Sequence, residues 1–330
     1  MSINEIAKHL KVSKSTVSLV INGKAEQGRI SKTLAKRIMD YVEEIGYKPN
    51  ALAKSLATGK SRTIGLIVEN IGDSFFGPIA LYIEENLRPY GYQVFYSSTF
   101  GEPEIANEIL NTMLEKKVEG IILSPTLGQE DQIHYIIKKK TPLVIFDRRV
   151  VGLKTNYVGT DNYTASKKAV QHLLDKGYSS IAMVTIDSPQ PQMQDRLRGY
   201  LEVIEQHGSS PQVLKLPFRT EKIKDSSTVQ EFFQQHPDID ALYFSTNYLC
   251  VKTLKIINTQ FPTSTFGIVA FDDHELFELI SPTITCIRQP LEAIAKEIVQ
   301  TIIHQLKQAD IDFVEKIIPS ELIIRGSTKK

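Results

Sequence analysis

From residue 63 onward, short runs rich in β-branched and aliphatic residues alternate with longer amphipathic stretches. That alternation restricts the fold more than any other feature of the chain. Five runs at 64–69, 93–97, 120–124, 143–146 and 157–159 are followed by five more at 181–185, 213–216, 241–245, 266–271 and 285–287. Stretches with helical spacing lie between them, for example 76–90, 104–116, 163–176 and 197–207. Strands that alternate with helices build parallel sheets covered by helices on both faces. Two series of five therefore predict an α/β body of two similar lobes. A late helix over 291–307 and a last strand over 314–324, broken by Pro319, are expected to cross back between the lobes.

In such sheets ligands sit beyond the carboxyl ends of the strands, so the residues just after each run are the first to inspect. They are Asp73, Ser74, Phe75 and Phe76; then Ser124 and Thr126; then Phe146, Asp147, Arg148 and Arg149; then Asp161 and Asn162 at the lobe junction. The second series adds Asp187 and Ser188, Asp195 and Arg196 entering a helix, Ser245 to Tyr248, Asp272 and Asp273, and Arg288 and Gln289. Any one of these is most simply a cap or turn residue. As a recurring set they suit a sugar: carboxylates and amides for hydroxyls, aromatic rings for the apolar face.

The first 60 residues are different. Eleven Lys/Arg against five Asp/Glu give them a formal charge of +6, so the +1 of the whole chain leaves −5 on residues 61–330. A basic head on an ordinary body suits nucleic-acid binding. Within it Ile3, Ile6, Ala7 and Leu10 share one helical face, and a tight turn leads to a second helix for which Ser13 is a natural N-cap. Val17 and Val20 continue the core. Lys14, Ser15, Thr16, Ser18 and Leu19 are left on the other side, with Lys14, Ser15 and Leu19 placed to meet base edges. A third helix follows Ser31 with Leu34, Ile38, Tyr41, Val42 and Ile45 as its buried stripe, and Gly46 stops it. This is the layout of a helix-turn-helix. The next stretch opens a short helix at Pro49 and Asn50, marginal by itself in water. If it forms only on DNA, Leu56 is placed to act as an apolar wedge in the minor groove.

The segment 12–22 (VSKSTVSLVIN), with Tyr47, Pro49, Asn50, Ala53, Leu56 and the run 64–68 (IGLIV), resembles the LacI/GalR family of bacterial transcriptional regulators. The turn at 22–31 is similar to that of the family's fructose-repressor, or catabolite repressor/activator, branch. The resemblance implies an all-α helix-turn-helix head plus a two-lobed body of doubly wound parallel sheets, like the periplasmic sugar-binding proteins. It implies operator contacts by Ser13, Lys14, Ser15, Thr16, Ser18, Leu19 and Asn22, and by Asn50, Ala53 and Leu56 of a hinge helix. For a small sugar or sugar-phosphate effector between the lobes, it implies Asp161, Arg196, Asn247, Asp272 and Gln289, and more loosely Phe75, Phe76, Ser124 and Phe146. Arg148 joins the set because it, Arg149, Arg196 and Arg288 would accommodate an anion. Two residues depart from the family pattern: Leu19 stands where many members carry Arg, and Tyr248 where many carry Asp. The expected boundaries are 1–46 for the head, 47–61 for the hinge, 62–161 with 290–319 for one lobe, and 162–289 with 320–330 for the other.

An enzyme on the same sheets lacks its motifs. No G-x-G-x-x-G follows the first run, no Ser stands in a G-x-S-x-G elbow, and Gly59-Lys60-Ser61 lacks the earlier Gly of a phosphate loop. The seven histidines show no metal-ligand spacing, so neither cofactor nor metal is expected. Cys250 and Cys286, each in an apolar stretch, read as buried free thiols. With no basic-then-apolar leader and no apolar run of about 18 residues, the expectation is a cytoplasmic regulator. It should be a homodimer on a pseudopalindromic operator, without a heptad tail for tetramers.

Overall fold

The computed structural model describes residues 2–47, 59–217, 227–257, 266–308 and 312–329. Contacts divide the chain into two units, Met1–Arg62 and Thr63–Lys330. The expected hinge helix, with Asn50, Ala53 and Leu56, lies outside the described residues.

The first unit holds α1 (Ile3–Leu10), α2 (Lys14–Ile21) and α3 (Lys32–Glu44). Ser2 and Glu5 form a capping box on α1, and Ser31 caps α3. Lys11 at φ 52 ends α1 in the left-handed region, which turns the chain sharply into α2. Ile6, Ala7, Val17, Val20, Ile38 and Val42 form the buried core, with Leu10, Val12, Leu34 and Tyr41 packed around it.

The second unit contains two six-stranded sheets. In the first lobe β1 (Thr63–Val68), β2 (Gln93–Ser98), β3 (Gly120–Leu123), β4 (Leu143–Phe146) and β5 (Asn156–Thr160) are interleaved with α4 (Phe76–Leu87), α5 (Pro103–Glu115) and α6 (Glu130–Lys138). The second lobe has β6 (Ile181–Asp187), β7 (Gln212–Pro217), β8 (Ala241–Phe244), β9 (Gly267–Phe271) and β10 (Thr285–Arg288). Its helices are α7 (Asn162–Asp175), α8 (Pro191–Gln206), α9 (Ser227–Gln235), α10 (Asn247–Ile257) and α11 (Leu276–Leu279). The chain then returns as α12 (Leu291–Lys307), β11 (Glu315–Ile318) and β12 (Glu321–Ile323).

The strand orders are β11-β5-β4-β3-β1-β2 and β12-β10-β9-β8-β6-β7. Position by position the sheets correspond, β4 with β9 and β1 with β6, although β12 pairs antiparallel and β11 parallel. In each sheet the chain reverses its winding beside the first strand, the place where such folds open a crevice. Helices cover both faces, and each lobe has two apolar layers, one on each face of its sheet. Among the described residues no helix is long and apolar enough to cross a membrane. Cys250 and Cys286 are both buried and unbridged.

The run over 314–324, expected to be broken by Pro319 and to cross between the lobes, forms two strands in two sheets. Pro319 has no N–H to continue a ladder, and the chain passes from one lobe to the other there. Helix α8 begins at Pro191 rather than at 197, because proline is well suited to a first helical position. Arg196 therefore lies in the second turn of α8 and not at its entrance.

Three crossings join the lobes, at 160–162, 288–291 and 318–321. Two of them are laced together. Thr160 Oγ1 donates to the Ile318 carbonyl at 2.9 Å and bonds Ser320 Oγ at 2.5 Å, while Ser320 N–H donates to Asp161 Oδ1 at 2.8 Å.

Candidate nucleic-acid interface and ligand cleft

In the head, Ser13 caps α2 by accepting the Thr16 N–H at 3.0 Å, and its hydroxyl also bonds Thr16 Oγ1 at 2.8 Å. This fixes the start of α2, the end a helix-turn-helix presents to DNA. Lys14 and Ser15 are exposed on its first turn. Asn22 turns back on the helix, its amide donating to the Ser18 carbonyl at 2.8 Å. Leu19 is half-buried, not projecting freely: a Cβ built at Gly28 would lie only 2.6 Å from Leu19 Cδ1. Glycine thus lets the 22–31 turn close over Leu19. Lys8, Lys11, Lys14, Lys24, Arg29, Lys32, Lys36 and Arg37 are all exposed, which gives the head a basic surface.

In the body, the strand ends of the two lobes meet across a narrow cleft. Its inner chamber measures about 60 Å³ and is walled by Glu69, Asp73, Phe75, Phe76, Asp147 and Arg148 of the first lobe. The second lobe contributes Ile186, Gln190, Gln192, Met193, Arg196, Thr246, Asn247, Tyr248, Asp272 and Gln289. An adjoining chamber of about 620 Å³ shares Phe75, Asn247, Asp272 and Gln289 and extends toward the starts of α4 and α12. Asn247 spans the lobes, its amide donating to Ser74 Oγ at 3.1 Å and to the Asp273 carbonyl at 3.0 Å.

The two lobes offer matching carboxylates. Phe146 and Asp147 end β4, and Phe271 and Asp272 end β9, with Asp147 at φ 64 and Asp272 at φ 69. Aspartate tolerates this left-handed backbone better than most residues. In both cases the phenylalanine is fully buried and the carboxylate turns toward the cleft.

Each carboxylate has a guanidinium beside it. Arg148 pairs with Glu69 and places its Nε 3.3 Å from Asp147 Oδ2. Arg196 donates to Asn162 Oδ1 at 2.8 Å, to the Ser245 carbonyl at 2.7 Å and to Asp272 Oδ2 at 3.4 Å. Its guanidinium lies 3.6 Å from the Phe271 ring centroid, a cation–π arrangement. Gln289 donates to Asp272 Oδ1 at 2.6 Å. Burial pushes the Asp147 carboxyl up to about 6, although Arg148 and Arg196 oppose the shift. Burial also raises Asp73, opposed by the Phe75 N–H and reinforced by Asp272 and Glu69. Phe75 and Phe76 meet edge to face at 5.0 Å between centroids and form the apolar wall.

Of the expected effector residues, Phe75, Phe76, Arg148, Arg196, Asn247, Asp272 and Gln289 reach the inner chamber. Ser124, Phe146 and Asp161 do not line it. Ser124 is buried behind Asp147 and donates to its Oδ2 at 3.3 Å; Phe146 is core; Asp161 holds the hinge through Ser320. The structure adds Glu69, Asp73, Asp147, Gln192 and Tyr248 to the wall. Asp73, Asp147 and Tyr248 carried the signal of a strand-end position, Glu69 closed the first run itself without being singled out, and Gln192 carried none. The four arginines expected to accommodate an anion are all paired with carboxylates in this structure: Arg149 with Glu315 at 2.7 Å and Arg288 with Asp273 at 2.7 Å, besides the two above. Among the described residues no group of three His, Cys, Asp or Glu is arranged to hold a metal ion.

Residues 2–50 match the family profile of bacterial regulatory proteins of the lacI family, and residues 61–251 match that of periplasmic binding proteins and the sugar-binding domain of the LacI family. The chain belongs to the LacI family. This LacI-family chain is 28% identical to the ribose operon repressor of Halalkalibacterium halodurans over 99% of its own length and 97% of the relative's. It is 30% identical to the HTH-type transcriptional regulator KdgR of Bacillus subtilis, over 93% and 91%. A crystal structure of the lac repressor dimer bound to operator and the anti-inducer ONPF superposes on 99% of both chains with a TM-score of 0.86 at 18% identity, a likeness of fold.

Proposed function

We propose that this LacI-family protein is a sequence-specific transcriptional repressor of sugar-metabolism genes, acting as a homodimer in the bacterial cytoplasm on nucleoid DNA. A small sugar held between the lobes sets its affinity for the operator. The observation that carries this reading is the convergence of Asp147 and Asp272 from equivalent strand ends on one cleft, with Phe75 and Phe76 beside them. Paired carboxylates grip hydroxyls and rings cover the apolar face of a pyranose or furanose. The groups at the cleft are held by guanidinium and amide partners, an arrangement for binding; no reaction is assigned to it.

On the DNA side, the exposed Lys14 and Ser15 read base edges, the cap formed by Ser13 and Thr16 sets the helix start near phosphate oxygens, and the basic surface supplies the salt-dependent part of affinity. Leu56 acts as the minor-groove wedge. A ligand that prefers one lobe arrangement shifts the population of the DNA-competent form by its differential affinity.

The test is selection of binding sites from random duplexes by the full chain, followed by titration of sugars into the complex. The reading expects a pseudopalindrome with half-sites about one helical turn apart and a change of affinity with at least one sugar. Equal affinity for all duplexes at physiological salt would sink it. Leu56→Ala should weaken operator binding and leave sugar affinity intact.

A further inference from the structure

The inner chamber has an unbalanced wall. Four carboxylates reach it, from Glu69, Asp73, Asp147 and Asp272, but only two cations, Arg148 and Arg196. Both cations are already engaged, Arg148 by Glu69 and Asp147, and Arg196 by Asp272. Asp73 is left over. Its Oδ1 accepts the Phe75 N–H at 2.8 Å, and no cation pairs with it among the described residues. A second observation points to what is missing. Gln192 is only 4% exposed and lines the chamber; its Nε2 donates to Gln190 Oε1, but its Oε1 has no donor among the described residues. A buried acceptor without a partner is costly, and a ligand hydroxyl or N–H is the group that would satisfy it.

Resting on the reading of this cleft as the effector site, we propose that it selects its effector by charge. It takes a hydroxyl-rich sugar without phosphate or carboxylate, tolerates an ammonium in place of a hydroxyl, and relies on Asp73 to set this preference. Both guanidiniums here are paired with carboxylates, and although the Arg148 Nε–H has no hydrogen-bond partner among the described residues, a phosphate finds no free two-pronged fork and must approach carboxylates that outnumber the cations. A hydroxyl donates to the same carboxylates without that repulsion, and an ammonium adds attraction. Burial is the main reason the Asp73 and Asp147 carboxyls are raised, and Glu69 and Asp272 add to both shifts. Of the basic neighbours outside the inner chamber, Arg149 is paired with Glu315 and Arg288 with Asp273, while Lys296, on α12, lies with Arg288 on the wall of the adjoining chamber.

The test is a thermal-shift and calorimetry screen of the full chain against pentoses, hexoses and disaccharides, with the amino-deoxy, phosphorylated and uronic-acid forms of each. Every stabilising ligand should be neutral or aminated, and the phosphate and acid forms of the best sugar should bind at least tenfold more weakly than the parent. A phosphate or acid form that binds as well as its parent overturns the proposal. If no sugar of any class binds, the reading of the cleft itself fails, and the two failures are thereby distinguished. Asp73→Asn keeps an acceptor for the Phe75 N–H and, because burial disfavours the Asp73 charge, should not lower the ligand-free melting temperature, while it narrows the gap between parent and acid at least threefold. An unchanged gap removes Asp73 from the role.

Discussion

Arg325 grips both oxygens of Asp273, at 2.8 Å and 2.9 Å, and so ties the last residues of the chain to the turn that carries Asp272. The same guanidinium donates to the Ile284 carbonyl at 3.0 Å and to Glu278 Oε1 at 2.7 Å. Asp272 keeps a left-handed backbone at φ 69, and such a conformation persists where its surroundings hold it. The clamp from Arg325 on one side and Gln289 on the other supplies that hold.

Arg325→Met should therefore act in two ways. It leaves Asp273 with Arg288 and the His274 N–H, and loss of a largely buried partner costs about 3 kcal/mol in unfolding free energy. It also loosens the turn under Asp272, so sugar affinity should fall more than for a surface change of equal stability cost. Chemical denaturation and calorimetry on the same variant separate the two effects. A variant that loses stability but binds sugar normally would show that the turn holds itself.

The acid response should have two opposing limbs. Asp147, pushed up to about 6, binds its proton more tightly folded than unfolded, where an ordinary Asp titrates near about 4. Its contribution is fully present below the unfolded value and is lost as pH rises through about 6. Asp273 behaves oppositely. Burial disfavours its charge, but the bonds from Arg325 and Arg288 outweigh this and hold it well below the usual carboxylate range. Its contribution is present above the unfolded value and is lost as pH falls below it. Urea unfolding from pH 7 downward should thus show a gain through pH 6 to 5 and a loss below about 4. Asp147→Asn should shrink the upper limb to what the raised Asp73 contributes and keep the lower one.

Gly199→Ala tests the packing that presents Arg196. A Cβ at Gly199 would lie 2.6 Å from the Tyr163 carbonyl oxygen and 2.9 Å from Ser166 Cβ, so α8 would have to move off α7. Overpacking of this kind costs about 1–3 kcal/mol. Because Arg196 is one turn earlier on the same helix, its 2.8 Å bond to Asn162 and 2.7 Å bond to the Ser245 carbonyl should suffer, and sugar affinity with them. Calorimetry at a temperature well below the melting point reads this directly.

Operator binding should fall steeply with salt, with a log–log slope of about −0.9 for each phosphate neutralised. Lys14→Ala should weaken operator binding; a slope reduced by about one unit would assign Lys14 to a phosphate, and an unchanged slope to a base edge. Ser13→Ala removes the cap on α2 and should lower the stability of the head by about 1 kcal/mol. Fluorescence anisotropy across a salt series distinguishes these outcomes.

The strands were legible because each is a short apolar run punctuated by turn residues; 143–146 and the helix 291–307 match the structure residue for residue. Residues 188–196 were not. Their Pro, Gln and Asp content hides helical periodicity, so the start of α8 and the wall residue Gln192 went unseen. Glu69 was missed because its partner, Arg148, is 79 residues away and only the folded sheet brings them together. Asp161 and Ser124 show the converse. A polar residue at a strand end is visible in sequence, but whether it faces the cleft, the hinge or a neighbouring carboxylate depends on the direction its side chain takes in the folded lobe. The matching Phe-Asp pairs at 146–147 and 271–272 were present in the sequence, and only the aligned strand orders give them their equivalence.

The returning tail also governs the order in which the molecule can be assembled during synthesis. The first lobe waits for α12 and β11, residues made after nearly the whole second lobe, and the second lobe waits for β12 and Arg325. The head is a compact unit with its own core, built from one short stretch of chain, and can close while the ribosome is still producing the body. A nascent chain therefore acquires its DNA reader long before it acquires its sensor, and a chain stopped short of β11 would carry the first without either lobe complete.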